Sequence, residues 1–237
     1  MKRTIENLIN EMEGKLGGYA GLLNYRYMNL CVKAEPVALI SVQLEDEEGE
    51  PCNLEKLADA FLADQYTYEV IPKHPRHIFS ICKGFKEVHP EFEQEVITPD
   101  DRNRLHSDQD DEKHIRLKVP EVNKDRHDFL MDAVKALYDQ CLVQVDKVNA
   151  EYPVKLAPKL VGLSEEEIEE ANKKMEDSQK THKDICEKYL TNKQKEIEDA
   201  YQHYLDEQTA KKAQEDEIEA TRVNRSSNSM KMGSYEE

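Results

Sequence analysis

The residues with the right chemistry for a reaction are scattered along this chain. His74 and His77 stand three apart around Pro75, and His89 follows in the same stretch. A metal centre needs two such imidazoles to converge with a carboxylate. The spacing reads instead as surface histidines beside a proline. Cys31, Cys52, Cys82, Cys141 and Cys186 are odd in number and form no C-x-x-C pair. That pattern fits reduced thiols in the cytosol rather than a disulfide framework or a zinc site. Gly14, Gly17, Gly18 and Gly21 cluster, but inside a helical pattern, with no strand before them to build a phosphate-cradling loop. The acidic runs Glu45 to Glu50 and Asp108 to Glu112 lack the D-x-D-x-D-G order of a calcium loop and read as solvated turns. His182, Tyr201 and Tyr204 recur at helical spacing with apolar residues, which suits packing better than ligation or base stacking. The expectation is a protein with no catalytic residues, no metal and no cofactor.

Composition narrows the class. The chain has 237 residues, 38% hydrophobic and 35% charged, with no Trp and 5 Phe. Those fractions suit long amphipathic helices with one wet face. Net charge is -17, which opposes phosphate backbones unless basic residues cluster. The N-terminus, Met-Lys-Arg-Thr-Ile-Glu-Asn, has no apolar core for a secretory signal. No run approaches the apolar length of a membrane span. These features point to a cytoplasmic protein.

Periodicity supplies the elements. Ile5, Leu8, Ile9, Met12, Leu16, Tyr19, Leu22 and Leu23 step by threes and fours, predicting a first helix that fades near Leu30. Pro36 is expected to block further helix. Ile40, Val42 and Leu44 alternate with Ser41 and Gln43, the period of a strand over 38–44. A second strand is expected over 66–71 and a third over 115–119, with a short helix after Pro75 and a polar acidic loop over 99–114. Leu130, Val134, Leu137, Cys141, Val145 and Val148 predict a second long helix, ended by Pro153 and Pro158. Ser164 with Glu167 is a capping box opening a third helix of roughly 40 residues or more. Thr221 to Glu237 is polar and reads as a disordered tail. The fold class is α+β. Residues 1–33 and 121–220 form a long antiparallel three-helix bundle, and a small mixed β/α domain, 34–120, is inserted after helix one.

That order of elements resembles the ribosome recycling factor family. Ile115-Arg116-Leu117-Lys118-Val119-Pro120 is similar to the family's strand leading into its second helix, and Arg126, Leu130, Val134, Gln140, Val143, Val145 and Val148 continue the match without a gap. Leu54-Glu55-Lys56-Leu57-Ala58, Lys33-Ala34-Glu35-Pro36 and Lys83-Gly84-Phe85 resemble further family motifs. The resemblance implies a non-enzymatic translation factor. Its partners would be the ribosome, through large-subunit rRNA, and elongation factor G, and it needs no cofactor of its own. It also implies a small domain that swings about hinges at Lys33, Ala34, Glu35 and Pro36 and at Val119 and Pro120.

The sequence departs from the family where arginines should meet rRNA. The matching positions are Leu142, Asp146, Asn149 and Ala150, and the junction arginine is Lys33. Lys33, Arg126, Lys147, Lys155 and Lys159 are the basic residues left to face the ribosome. An alternative follows from this loss: a relative that no longer binds rRNA and serves as a protein-interaction scaffold, with Leu142, Val143 and Tyr152 offering apolar contact at the bundle tip, or the last helix pairing with a second copy.

Overall fold

The computed structural model describes residues 3–46, 48–98 and 113–232. Three long helices dominate: α1 (Arg3–Met28), α5 (Lys124–Leu156) and α6 (Glu165–Met232). Between α1 and α5 lie α2 (Pro36–Ile40), β1 (Gln43–Glu45), β2 (Pro51–Asn53), α3 (Leu54–Leu57), β3 (Ala58–Asp64), β4 (Thr67–Pro72), α4 (Ile78–Val88), β5 (Glu93–Ile97) and β6 (His114–Lys118).

Long-range contacts give the directions of the bundle. Tyr27 reaches Val134 and Glu11 reaches Tyr152, so α1 and α5 are antiparallel. His127 meets Glu198 and Cys141 meets Cys186, so α5 and α6 are antiparallel too. Leu8, Met12, Leu16, Leu23, Val134, Val145, Ala171 and Ile197 belong to one buried cluster between the helices. Each large apolar side chain fully buried there contributes about 1.5–3 kcal/mol. The α1 stripe is shifted from the sequence expectation. Ala20 and Tyr27 are buried, whereas Leu22 is 45% exposed. The capping box forms as expected: the Glu167 N–H donates to Ser164 Oγ and the Ser164 N–H to the Glu167 carboxylate, both at 3.3 Å.

The insert has its own core. Strands β3-β4-β6-β5 form an antiparallel sheet, with Val70 opposite Ile115 and Tyr68 opposite Leu117. Tyr68, Val70, Ile115 and Leu117 are fully buried in one cluster with Ile81 and Phe85 of α4. β1 and β2 form a separate hairpin beside α4. A Cβ on Gly84 would lie 2.3 Å from Leu44 Cδ2 and 3.0 Å from the Gln43 carbonyl oxygen, so α4 approaches β1 closely only because residue 84 has no side chain.

Several expectations are corrected. Pro36 does not exclude helix; it opens α2 at the first helical position, where a missing N–H is harmless. The strand expected over 38–44 is reduced to Gln43–Glu45, and Ile40 is 73% exposed in α2. Pro153 does not end α5, which runs to Leu156; the lost N–H bond falls in the final turn, where little helix follows. The disordered tail expected from Thr221 is helical through Met232. No Pro or Gly interrupts the chain between Glu165 and Met232, so nothing local stops the helix. At 68 residues α6 spans about 100 Å. The expected acidic loop lies, over residues 99–112, outside the described residues, as do residues 233–237 of the expected tail. Strands β2, β3 and β5 were not anticipated. Among the described residues no helix is long and apolar enough to cross a membrane.

Candidate functional site

Two places concentrate polar side chains: the junction of the two cores and the far end of the bundle. At the junction two chain segments cross, one after α1 and one before α5. Each contributes to both cores. Val32 and Val122 are buried in the bundle, whereas Cys31, Ala34 and Val119 are buried in the insert. The backbone is held on the insert side: the Ala34 N–H donates to the Gln65 carbonyl at 2.8 Å and the Val119 N–H to the Tyr66 carbonyl at 2.8 Å. Tyr68 Oη accepts from the Glu35 N–H and donates to the Glu35 carbonyl.

Of the basic residues expected here, Lys33 is half exposed and pairs with Glu35 at 3.2 Å. Arg126 does not face solvent as a basic edge would. Asn123 caps its backbone N–H, and its guanidinium turns inward to donate to the Cys31 carbonyl at 2.7 Å. Burial holds its pKa below the usual arginine value.

His89, expected at the surface, is also corrected by the structure. It is 1% exposed and stacks on Phe92 with ring centroids 4.5 Å apart. Its Nδ1 lies 3.9 Å from Cys31 Sγ and 3.4 Å from Glu91 Oε1. Burial acts to lower its pKa, but the contacts with Cys31 and Glu91 outweigh burial and raise it to about 10. No sequence signal joined Cys31 to His89, 58 residues apart. His74 and His77 meet edge-on at 6.0 Å, and His77 Nδ1 lies 3.2 Å from the Leu57 carbonyl.

At the far end of the bundle, Tyr152 is the centre of a polar knot. Its hydroxyl donates to Glu11 Oε1 at 2.7 Å, and the Lys15 and Lys155 ammonium groups stand 5.2 and 4.8 Å from its ring centroid. Lys155 is also paired with Glu151. Lys147 and Lys159 are exposed and carry no ion pair among the described residues. Lys147 and Lys155 are eight residues apart, roughly 12 Å along the axis. The lysines are therefore spread along this end of α5 and around it, with Asp146, Glu151 and Glu11 among them. Sequence reasoning missed Lys15, which only the α1–α5 packing brings to this end. Tyr152, considered above as an apolar docking residue, is buried and unavailable.

The family model for ribosome recycling factor matches residues 28–197, from the end of α1 through the junction, the insert and the bundle tip into α6. The chain belongs to the ribosome recycling factor family. A solution structure of the ribosome recycling factor superposes with a TM-score of 0.65 at 16% identity, covering 84% of this chain and 100% of that one. A model of the T. thermophilus ribosome recycling factor, described together with E. coli elongation factor G bound to the E. coli post-termination complex, matches with a TM-score of 0.51 at 17% identity, covering 81% and 98%. At those identities the likeness is one of fold. No curated protein matches. The family model ends at Ile197, so 35 further residues of α6, to Met232, continue beyond the matched region.

Proposed function

We propose that this protein recycles ribosomes without catalysing a reaction, helping elongation factor G to separate the subunits of the post-termination complex. The family match over residues 28–197 carries this reading, because it takes in the junction, the insert and the tip together. The comparison structure described with elongation factor G and a post-termination complex supports the same partners, and neither comparison favours a protein-interaction scaffold.

In this reading residues 1–33 with 121–220 act as a rigid lever and 34–120 as a domain that swings on it. The hydrogen bonds at Ala34, Glu35 and Val119 tie those residues to the insert, so the pivot narrows to Val32–Lys33 and Pro120–Glu121. Such a pivot needs few residues, since two crossings change backbone torsion together. The tip contacts large-subunit rRNA through Lys147, Lys155 and Lys159, with Lys15 beside them. Lysines act as point charges rather than bidentate forks, and few of them imply a modest, salt-sensitive affinity.

The test is co-sedimentation with ribosomes at low and high salt, followed by disassembly of post-termination complexes with and without elongation factor G. Salt-sensitive pelleting and factor-dependent splitting are expected. Absence of pelleting at low salt overturns the proposal.

A further inference from the structure

The junction contains three metal-ligating side chains that the recycling function does not use. Cys31 follows α1, and His89 and Glu91 lie in the turn between α4 and β5. One ligand atom from each lies within 4.8 Å of the other two. The separations of 3.9 Å between sulfur and nitrogen and 3.4 Å between nitrogen and oxygen are near those of ligands sharing one tetrahedral ion.

The orientation of His89 is the stronger observation. Its Nε2 lies 3.1 Å from the Ala38 carbonyl oxygen, which can only accept, so that nitrogen carries the hydrogen. Nδ1 therefore faces Cys31 and Glu91, and its lone pair points between them once its proton leaves. This is the arrangement that a metal-bound histidine adopts, its other nitrogen donating to a backbone carbonyl. The Phe92 ring fixes the imidazole plane, and Arg126 holds the Cys31 carbonyl. His89 and Cys31 are buried, whereas the Glu91 side chain is 35% exposed and offers an entry path.

We propose that Cys31 Sγ, His89 Nδ1 and a Glu91 carboxylate oxygen bind one zinc ion, with water as fourth ligand. Thiolate and carboxylate together cancel the charge of the ion, and the Arg126 guanidinium on the Cys31 carbonyl further favours the two anionic ligands. Binding releases to solvent the Cys31 thiol proton and any proton on His89 Nδ1. The ion would clasp the end of α1 to the insert, beside the crossing segments. This holds whether or not the ribosomal reading does.

Cobalt(II), followed by zinc(II), is the probe, titrated into the full chain. One cobalt per chain is expected, with thiolate-to-cobalt charge-transfer absorption that zinc abolishes. Cys31→Ser should remove that absorption, and Glu91→Gln should weaken binding about ten-fold or more. The Cys141→Ser/Cys186→Ser variant should keep it. No binding, a spectrum unchanged in Cys31→Ser, or one lost in the Cys141/Cys186 variant overturns the proposal. The unaltered protein supplies a readout free of folding effects: zinc should slow alkylation of Cys31 relative to Cys52. An equal rate with and without zinc counts against the site.

Discussion

The Tyr68 hydroxyl closes on a single residue, accepting the Glu35 N–H at 2.6 Å and donating to the Glu35 carbonyl at 2.7 Å. Tyr68 itself is fully buried in the insert. One side chain thus pins the connection from α1 to the insert at both backbone groups. Burial raises the Tyr68 pKa well above the usual phenol value, so it stays a neutral donor. Tyr68→Phe keeps the ring and removes both bonds. It should lower stability by about 1–3 kcal/mol and speed amide exchange at Glu35. Urea unfolding and hydrogen exchange measure the two effects, and an unchanged exchange rate would show that this bond does not hold the junction.

Gly84→Ala tests the packing of α4 on β1. Alanine is the better helix former by about 1 kcal/mol. Its methyl would nevertheless meet Leu44 Cδ2 and the Gln43 carbonyl. Overpacking of this kind typically costs about 1–3 kcal/mol, so the variant should unfold at lower denaturant concentration than the parent. Gly14→Ala, with nothing within 4 Å of the added Cβ, is the control and should stabilise the chain.

His127 joins α5 to α6 through Glu198 at 3.0 Å and bonds Asp128 on its own helix at 2.9 Å. The Asp128 hydrogen bond, with that of Glu198 behind it, raises its pKa above 6.5. The folded state therefore holds the proton more tightly than the unfolded chain. The resulting stabilisation is complete below about pH 6.5 and disappears as pH rises through the folded-state value. Both carboxylates are exposed, which limits the effect to about 1 kcal/mol or less. His127→Gln should therefore be less stable than the parent in mild acid and equal to it in alkali. Denaturation at a series of pH values checks the sign, and a gap that widens with rising pH would contradict it.

Asp146 stands beside Lys147 on the exposed side of α5. Asp146→Arg replaces a charge that repels phosphate with one that binds it. If this end of the bundle meets rRNA, ribosome affinity should rise and its salt dependence steepen by about one unit of logarithmic slope. Sedimentation across a salt series measures the slope. An unchanged slope would place the rRNA contact elsewhere.

The bundle was legible from its sequence because helical burial repeats at fixed spacing. Leu130, Val134, Cys141, Val145 and Val148 announce their helix, and all five are buried. The insert was only partly legible. Thr67–Pro72 and His114–Lys118 were visible as β-rich runs, but of the strand expected over 38–44 only Gln43 and Leu44 pair, in β1, while residues 38–40 belong to α2. Short elements hold too few residues for a period to be distinguished from chance, so packing decided them.

The order of long helix, inserted domain and two further long helices, the Ser164–Glu167 cap and the family resemblance were determined by the sequence alone, since each depends on residues near one another in the chain. Tertiary structure alone decided which lysines share the bundle tip, that Arg126 turns inward, and that Tyr68 pins Glu35. It also brought Cys31 to His89 and Glu91. These relationships join segments many residues apart, and no local pattern records which surfaces meet when α1 crosses into the insert and α5 returns from it.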